Sequence, residues 1–168
     1  MALAQVNSAT VTSSTSSIKL TGIDDNSVYV LVVANAQPTA NADGMALRVL
    51  VSGTEDTSSN YDSAGKTLIA SASPSEVYLT NQNKFSYNAV GNSANSRGNG
   101  IYYLYNFYAS SEYSYMTAEL ISEYANTTQH RGMQGGGVHT VQQSCNGVEF
   151  LYPAGNIAQA TVTLYRVV

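Results

Sequence analysis

The stretch GVEFLYPAGNIAQATVTLYRVV, residues 147–168, decides the fold class. Val148, Phe150 and Tyr152 fall on one face of a first run, with Glu149 and Leu151 on the other. Pro153-Ala154-Gly155-Asn156 is turn chemistry, because Pro fixes φ while Gly and Asn tolerate positive φ. Val162, Leu164 and Arg166 then alternate with Thr161, Thr163, Tyr165 and Val167. A period of two in β-branched and aromatic residues predicts a sheet strand. The stretch therefore predicts a β-hairpin. Its core residues are Val148, Phe150, Tyr152, Ile157, Val162, Leu164 and Tyr165, around a turn at Gly155 and Asn156 with Gly155 at positive φ. The rest of the chain is expected to assemble as strands around it.

Working outward, the same period recurs. Val28 to Ala34 is a nearly continuous apolar run, suited to a strand covered on both faces. Met45 to Ser52 alternates, and Asp43-Gly44 before it suits a tight turn. Tyr61 to Ala72 reads as partly strand, broken by Pro74, and Val77 to Leu79 as a short run. Residues 81–100 are rich in Asn, Ser and Gly and read as a long surface loop holding at most a short strand. Ile101 to Tyr108 is a dense aromatic run. Residues 110–126 fit helical and strand spacing alike, and strand is preferred because every other segment is β. Arg131 to Gly137 reads as a Gly-rich turn before a strand at 138–142. Many short strands between Gly, Asn and Ser turns predict an all-β, jelly-roll-like antiparallel sandwich in a single domain, residues 18–168. Residues 1–17 are Ser/Thr-rich and read as an N-terminal arm or a first strand.

Composition narrows the function. The chain has 168 residues, enough for a sizeable core, and only 11% are charged. A surface filled by Ser, Thr, Asn, Gln and Gly suits a β-protein held in an assembly. The formal net charge is −4, and the seven Lys and Arg are scattered. Without a basic stripe, nucleic acid is not an expected partner. No run reaches the roughly 18 apolar residues of a spanning helix, so no membrane partner is expected. The N-terminus lacks the charged and apolar regions of a signal peptide, and one Cys excludes an intrachain disulfide.

Catalytic and metal-binding patterns are weak throughout. His130 and His139 have no Cys or carboxylate at ligand spacing. Cys145 near His139 reads as a small buried hydrophobe rather than a nucleophile. Asp24-Asp25-Asn26 fits turn chemistry better than a calcium loop. Gly135-Gly136-Gly137 lacks the Lys and helix N-terminus of a phosphate cradle. Nothing sets two of Glu112, Glu119 and Glu123 across one cleft. No catalytic residue, metal or cofactor is expected. The tyrosines stand out instead: 13 Tyr against 3 Phe and no Trp. Tyr102, Tyr103, Tyr105, Phe107 and Tyr108 lie in one run with aromatic residues on both faces. Either the strand is covered on both sides within the domain, or this run is a subunit interface, where Tyr is enriched.

Four segments carry a resemblance. Val148-Glu149-Phe150 with Gly155-Asn156-Ile157 and Thr163-Leu164-Tyr165 resembles the C-terminal signature of small jelly-roll domains in tailed-bacteriophage virion proteins. Tyr29 to Val33 followed by Pro38 and Asp43 to Val49, then Tyr61-Asp62-Ser63-Ala64, then Gly135 to Val138, fit the same pattern over about residues 22–168. Arg166 stands where the family has Gly. The resemblance implies a non-enzymatic structural protein of the virion. A capsid decoration protein on the head exterior is preferred over a tail-fibre head, since only residues 1–17 precede the domain. Its partners would be itself, as a homotrimer, and the major capsid protein. Under the tail-fibre alternative the partner would be a host-surface glycan. A carbohydrate-binding module or glycan-degrading enzyme is the third reading.

Overall fold

Alternating side chains can give a strand one buried and one exposed face, and the computed structural model shows this most clearly over residues 114–122. It describes residues 2–125 and 129–168. Met1 and Asn126, the latter ending the predicted strand 110–126, lie outside the described residues. The strands are β1 (Leu3–Val11), β2 (Ser17–Thr21), β3 (Tyr29–Pro38), β4 (Asp43–Val51), β5 (Thr54–Glu55), β6 (Tyr61–Ile69), β7 (Ala72–Gln82), β8 (Phe85–Val90), β9 (Gly98–Tyr105), β10 (Ser114–Tyr124), β11 (Gln129–His139), β12 (Gly147–Leu151) and β13 (Ile157–Val167). The described residues contain no helix. An eight-stranded sheet runs β1-β13-β3-β9-β10-β11-β6-β7. A five-stranded sheet runs β2-β12-β4-β5, with β8 also paired to β4. Every ladder is antiparallel. The protein is an all-β, jelly-roll-like sandwich in one domain.

The core lies between the sheets. Tyr29, Leu31, Tyr102, Leu104, Val162 and Leu164 come from the larger sheet, and Leu20, Leu47, Val49, Val148 and Phe150 from the smaller. This close-packed layer contributes most of the favourable free energy of folding.

The predicted hairpin is corrected. β12 sits between β2 and β4 in the smaller sheet, whereas β13 sits between β1 and β3 in the larger. The turn at 152–156 carries the chain from one sheet to the other. A period of two identifies a strand but says nothing of its neighbour. Val148, Phe150, Tyr152, Ile157, Val162 and Leu164 are buried. Tyr165 is not core: it faces outward, in register with Val30 and Gln5. Asn156 is exposed, donating its backbone N–H to Thr39 Oγ1 at 2.9 Å. Gly155 is not at positive φ, a conformation found instead at Gly22, Gly53 and six non-glycine residues. It is glycine for lack of room, since an added Cβ would lie 2.8 Å from Thr39 Oγ1 and 2.9 Å from Ala40.

Of the two readings of residues 1–17, a first strand is what residues 3–11 form, since β1 pairs along β13 from Leu3↔Val167 to Val11↔Ala160. Three other expectations change. Pro74 does not break a strand but lies within β7, at the sheet edge, where its missing N–H costs no ladder bond. The expected loop at 81–100 holds the end of β7, all of β8 and the start of β9. Its remainder is tied down by Gly91 N–H to Glu123 O and Asn92 Nδ2 to Thr39 O. The Gly-rich segment 131–137 is strand β11, not a turn. Gly135 and Gly137 are needed there because an added Cβ would strike the Met133 and Phe85 side chains at 2.6 Å.

The exposed face of the larger sheet

The ladder registers place outward-facing side chains in rows across the larger sheet. One row runs Tyr165, Val30, Tyr103, Thr117, Gly136, Ala64, Tyr78. Beside it run Ile101, Glu119, Gln134 and Lys66, and then Asn99, Ile121, Gly132 and Leu68. At the other end lie Tyr105, Tyr115, Val138 and Asp62. The face therefore has two halves. One is aliphatic, with Ile121 57% exposed, Leu68 52% and Ile101 40%. A hollow of about 400 Å³ lies between Val32, Ile101 and Ile121. The other half is aromatic and holds a trough of about 500 Å³. Polar Glu119, Gln134 and Lys66 run between these two groups, and exposed apolar side chains grouped in this way make the face a candidate interaction surface.

The predicted tyrosine interface divides here. Tyr103 and Tyr105 lie on this face. Tyr102 and Phe107 do not: both are buried, and Tyr102 packs against Tyr87 with ring centroids 6.2 Å apart. Burial raises the Tyr102 phenol well above its ordinary pKa. Simple alternation would put Phe107 with Tyr103 and Tyr105, but β9 ends at Tyr105 and Asn106 adopts φ 60°, which turns Phe107 inward. Tyr108 is 41% exposed, beyond the end of β9. Sequence reasoning missed Ile101, Ile121, Leu68 and Tyr78. Alternation in Tyr115-Thr117-Glu119-Ile121 was the available signal.

The smaller sheet presents a different outer surface. Arg48 Nη1 lies 3.1 Å from Glu149 Oε2, and Lys19 pairs with Glu55. Arg48 Nε also donates to Asn83 O at 3.0 Å.

The remaining candidate groups serve the fold. His130 is exposed and His139 buried at the two ends of β11, about 30 Å apart by strand rise, so they cannot share a metal. Glu119 and Glu123 are separated along β10 by about 13 Å. Tyr29 Oη donates to the carboxylates of Asp24 and Asp25, and Asp25 also pairs with Arg166 at 3.1 Å. Arg166, where the resembled family has Gly, thus ties the end of β13 to the turn before β3. Cys145 is fully buried, and burial pushes its thiol up to about 11, which leaves it a poor nucleophile.

His139 is fully buried, tilted against Tyr61 at 4.7 Å, with Nε2 3.2 Å from Asp56 Oδ2 though poorly aligned for a hydrogen bond. Burial lowers the imidazole below its ordinary value, and Asp56 opposes this only in part. For Asp56, burial raises the pKa, but hydrogen bonds from Ser58 and Gln143 with the charge of His139 hold it below the ordinary value. The unfolded chain therefore binds more protons than the folded one as pH falls through 6.5 and again below about 4. The stability that these two groups contribute is expected to be full above about pH 6.5 and to fall on acidification. His139→Gln should flatten the first part of that fall in urea melts from pH 7.5 to 5; an unchanged slope would exclude His139 as its source.

These features define a jelly-roll-like sandwich whose larger sheet exposes Ile101, Ile121, Leu68 and Tyr78 on its outer face. Comparison with protein-family models, with curated proteins and with solved structures found no match for the chain.

Proposed function

We propose that this chain is a non-enzymatic structural protein of a tailed-bacteriophage virion, a decoration protein that binds the head exterior and joins capsomers. The observation that carries the reading is the exposed aliphatic half of the larger sheet, built around Ile101, Ile121 and Leu68. The resemblance over residues 22–168 supports the virion assignment. The edges of the sheet favour attachment through the face. β7 carries Pro74 and two register shifts, and β1 has a bulge between Gln5 and Asn7, which are devices against strand addition. The partners are the major capsid protein and further copies of the chain, as a homotrimer at three-fold positions of the shell. Attachment is weak per contact and strong by repetition. With few charges involved, it depends little on salt.

The test is the number of copies per purified particle, by quantitative mass spectrometry against the major capsid protein. Hundreds of copies are expected. A few tens or fewer would move the protein to the tail and to the second reading, a receptor-binding fibre head, which the aromatic trough favours.

A further inference from the structure

The trough at the aromatic end of the larger sheet is an open, shallow depression bordered by tyrosines. Its floor is two strands wide and nearly bare, because Gly136 of β11 and Ala64 of β6 stand side by side in register. Tyr115 and Tyr105, paired in register, form one wall, and Tyr78 of the edge strand, 79% exposed, forms the other. β10 and β7 are three strand spacings apart, and Tyr78 stands in the row of Thr117, two residues from Tyr115, so the two tyrosines are set diagonally about 16 Å apart at the backbone. The volume, about 500 Å³, falls within the range of small-ligand sites.

Its chemistry selects among ligands. The lining is almost wholly apolar, with polar groups only at Asp62, Ser63, Thr80, Thr117 and the tyrosine hydroxyls. Asp62 Oδ1 accepts the Asn81 N–H at 2.7 Å, which fixes the carboxylate in the trough wall. Among the described residues lining the trough there is no Lys, Arg or His, so nothing there pairs an anionic ligand. A neutral sugar fits both properties. One face of a pyranose ring is C–H and stacks on an aromatic ring, while its hydroxyls seek carboxylate and hydroxyl partners at the edge. An apolar peptide would leave Asp62 and the threonines facing carbon.

We infer that this trough binds a neutral oligosaccharide that spans it, one sugar stacked on Tyr115 and another on Tyr78, with hydroxyls held by Asp62. The site is separate from the aliphatic half to which capsid attachment is assigned, so failure of sugar binding and failure of capsid attachment are distinguishable. The chain has no Trp, so tyrosine emission reports directly on the rings. The probes are glucose and mannose tetrasaccharides of β-1,3 and β-1,4 linkage, with sulfated tetrasaccharides as the anionic comparison, each titrated by calorimetry and by tyrosine fluorescence. Saturable binding of at least one neutral probe is expected, without binding of the sulfated ones. Tyr78→Ala and Tyr115→Ala should each weaken it about tenfold or more, as truncation of an anchoring aromatic does. Tyr78→Phe keeps the ring and should retain binding, and Ile121→Lys should leave it unchanged. No binding of any neutral probe, preference for the sulfated ones, or affinity untouched by both alanine variants would overturn the assignment. So would loss of self-association in Tyr78→Ala without sugar binding, which would give the trough to a second copy.

Discussion

Phe150→Ala is expected to lower the stability of the chain by about 3–5 kcal/mol, the cost of removing a large aromatic side chain from a closed core. Phe150 is 1% exposed. It sits on β12 in register with Ile18 on one side and Leu47 on the other, and meets the Tyr152 ring edge-on at 5.5 Å. Both neighbouring strands are fixed by their ladders, so the space cannot close around alanine without moving one of them. Part of the cost is the transfer free energy of the ring, and the rest is the dispersion attraction that the atoms lining the cavity forfeit. In a domain of this length the midpoint of a thermal melt should fall by about 10 °C. A melt matching the unmodified chain would mean that the core does not lie where these sheets place it.

Much of this architecture is legible in the residues. The alternation of Met116, Ala118 and Leu120 with Thr117, Glu119 and Ile121 settles as a strand with every even position from 114 to 122 buried. The near-continuous apolar run of β3 reflects its place inside the larger sheet, between β13 and β9. What the sequence does not carry is partnership. The runs of β12 and β13 look like a hairpin because they are close in sequence and share a period. Their separation into two sheets depends on β2, β4, β1 and β3, whose claims on the same edges come from far along the chain. Glycine misleads in a similar way. Gly135 to Gly137 resembles a turn, yet the crowding that demands glycine comes from Met133, Phe85 and Ala64, whose positions only the fold supplies. The candidate interface was half legible: Tyr103 and Tyr105 follow from alternation, while the reversal at Asn106 that buries Phe107 has no simple signal.

The pairing of residues 3–11 with β13 bears on the proposed attachment: no arm is left over those residues to carry it, and the edges are blunted by Pro74 and bulges, so the proposal rests on the outer face of the larger sheet.

Ile121→Lys is the second variant with a large expected effect. Ile121 is 57% exposed, so the free chain should fold and melt as before. Within an apolar contact the new ammonium group would be desolvated without a partner, a cost of several kcal/mol. Attachment should weaken by about 100-fold or more, since every 1.4 kcal/mol is a factor of ten. Thr21→Lys adds the same charge to an exposed position on the smaller sheet, at the edge strand β2. The direct measurement is the binding of purified chain, in these two forms and unmodified, to heads stripped of it, with bound copies counted after sedimentation. The larger-sheet reading predicts near-complete loss for Ile121→Lys and full occupancy for Thr21→Lys. Full occupancy by Ile121→Lys, or loss confined to Thr21→Lys, would contradict it and move the attachment surface to the other side of the sandwich.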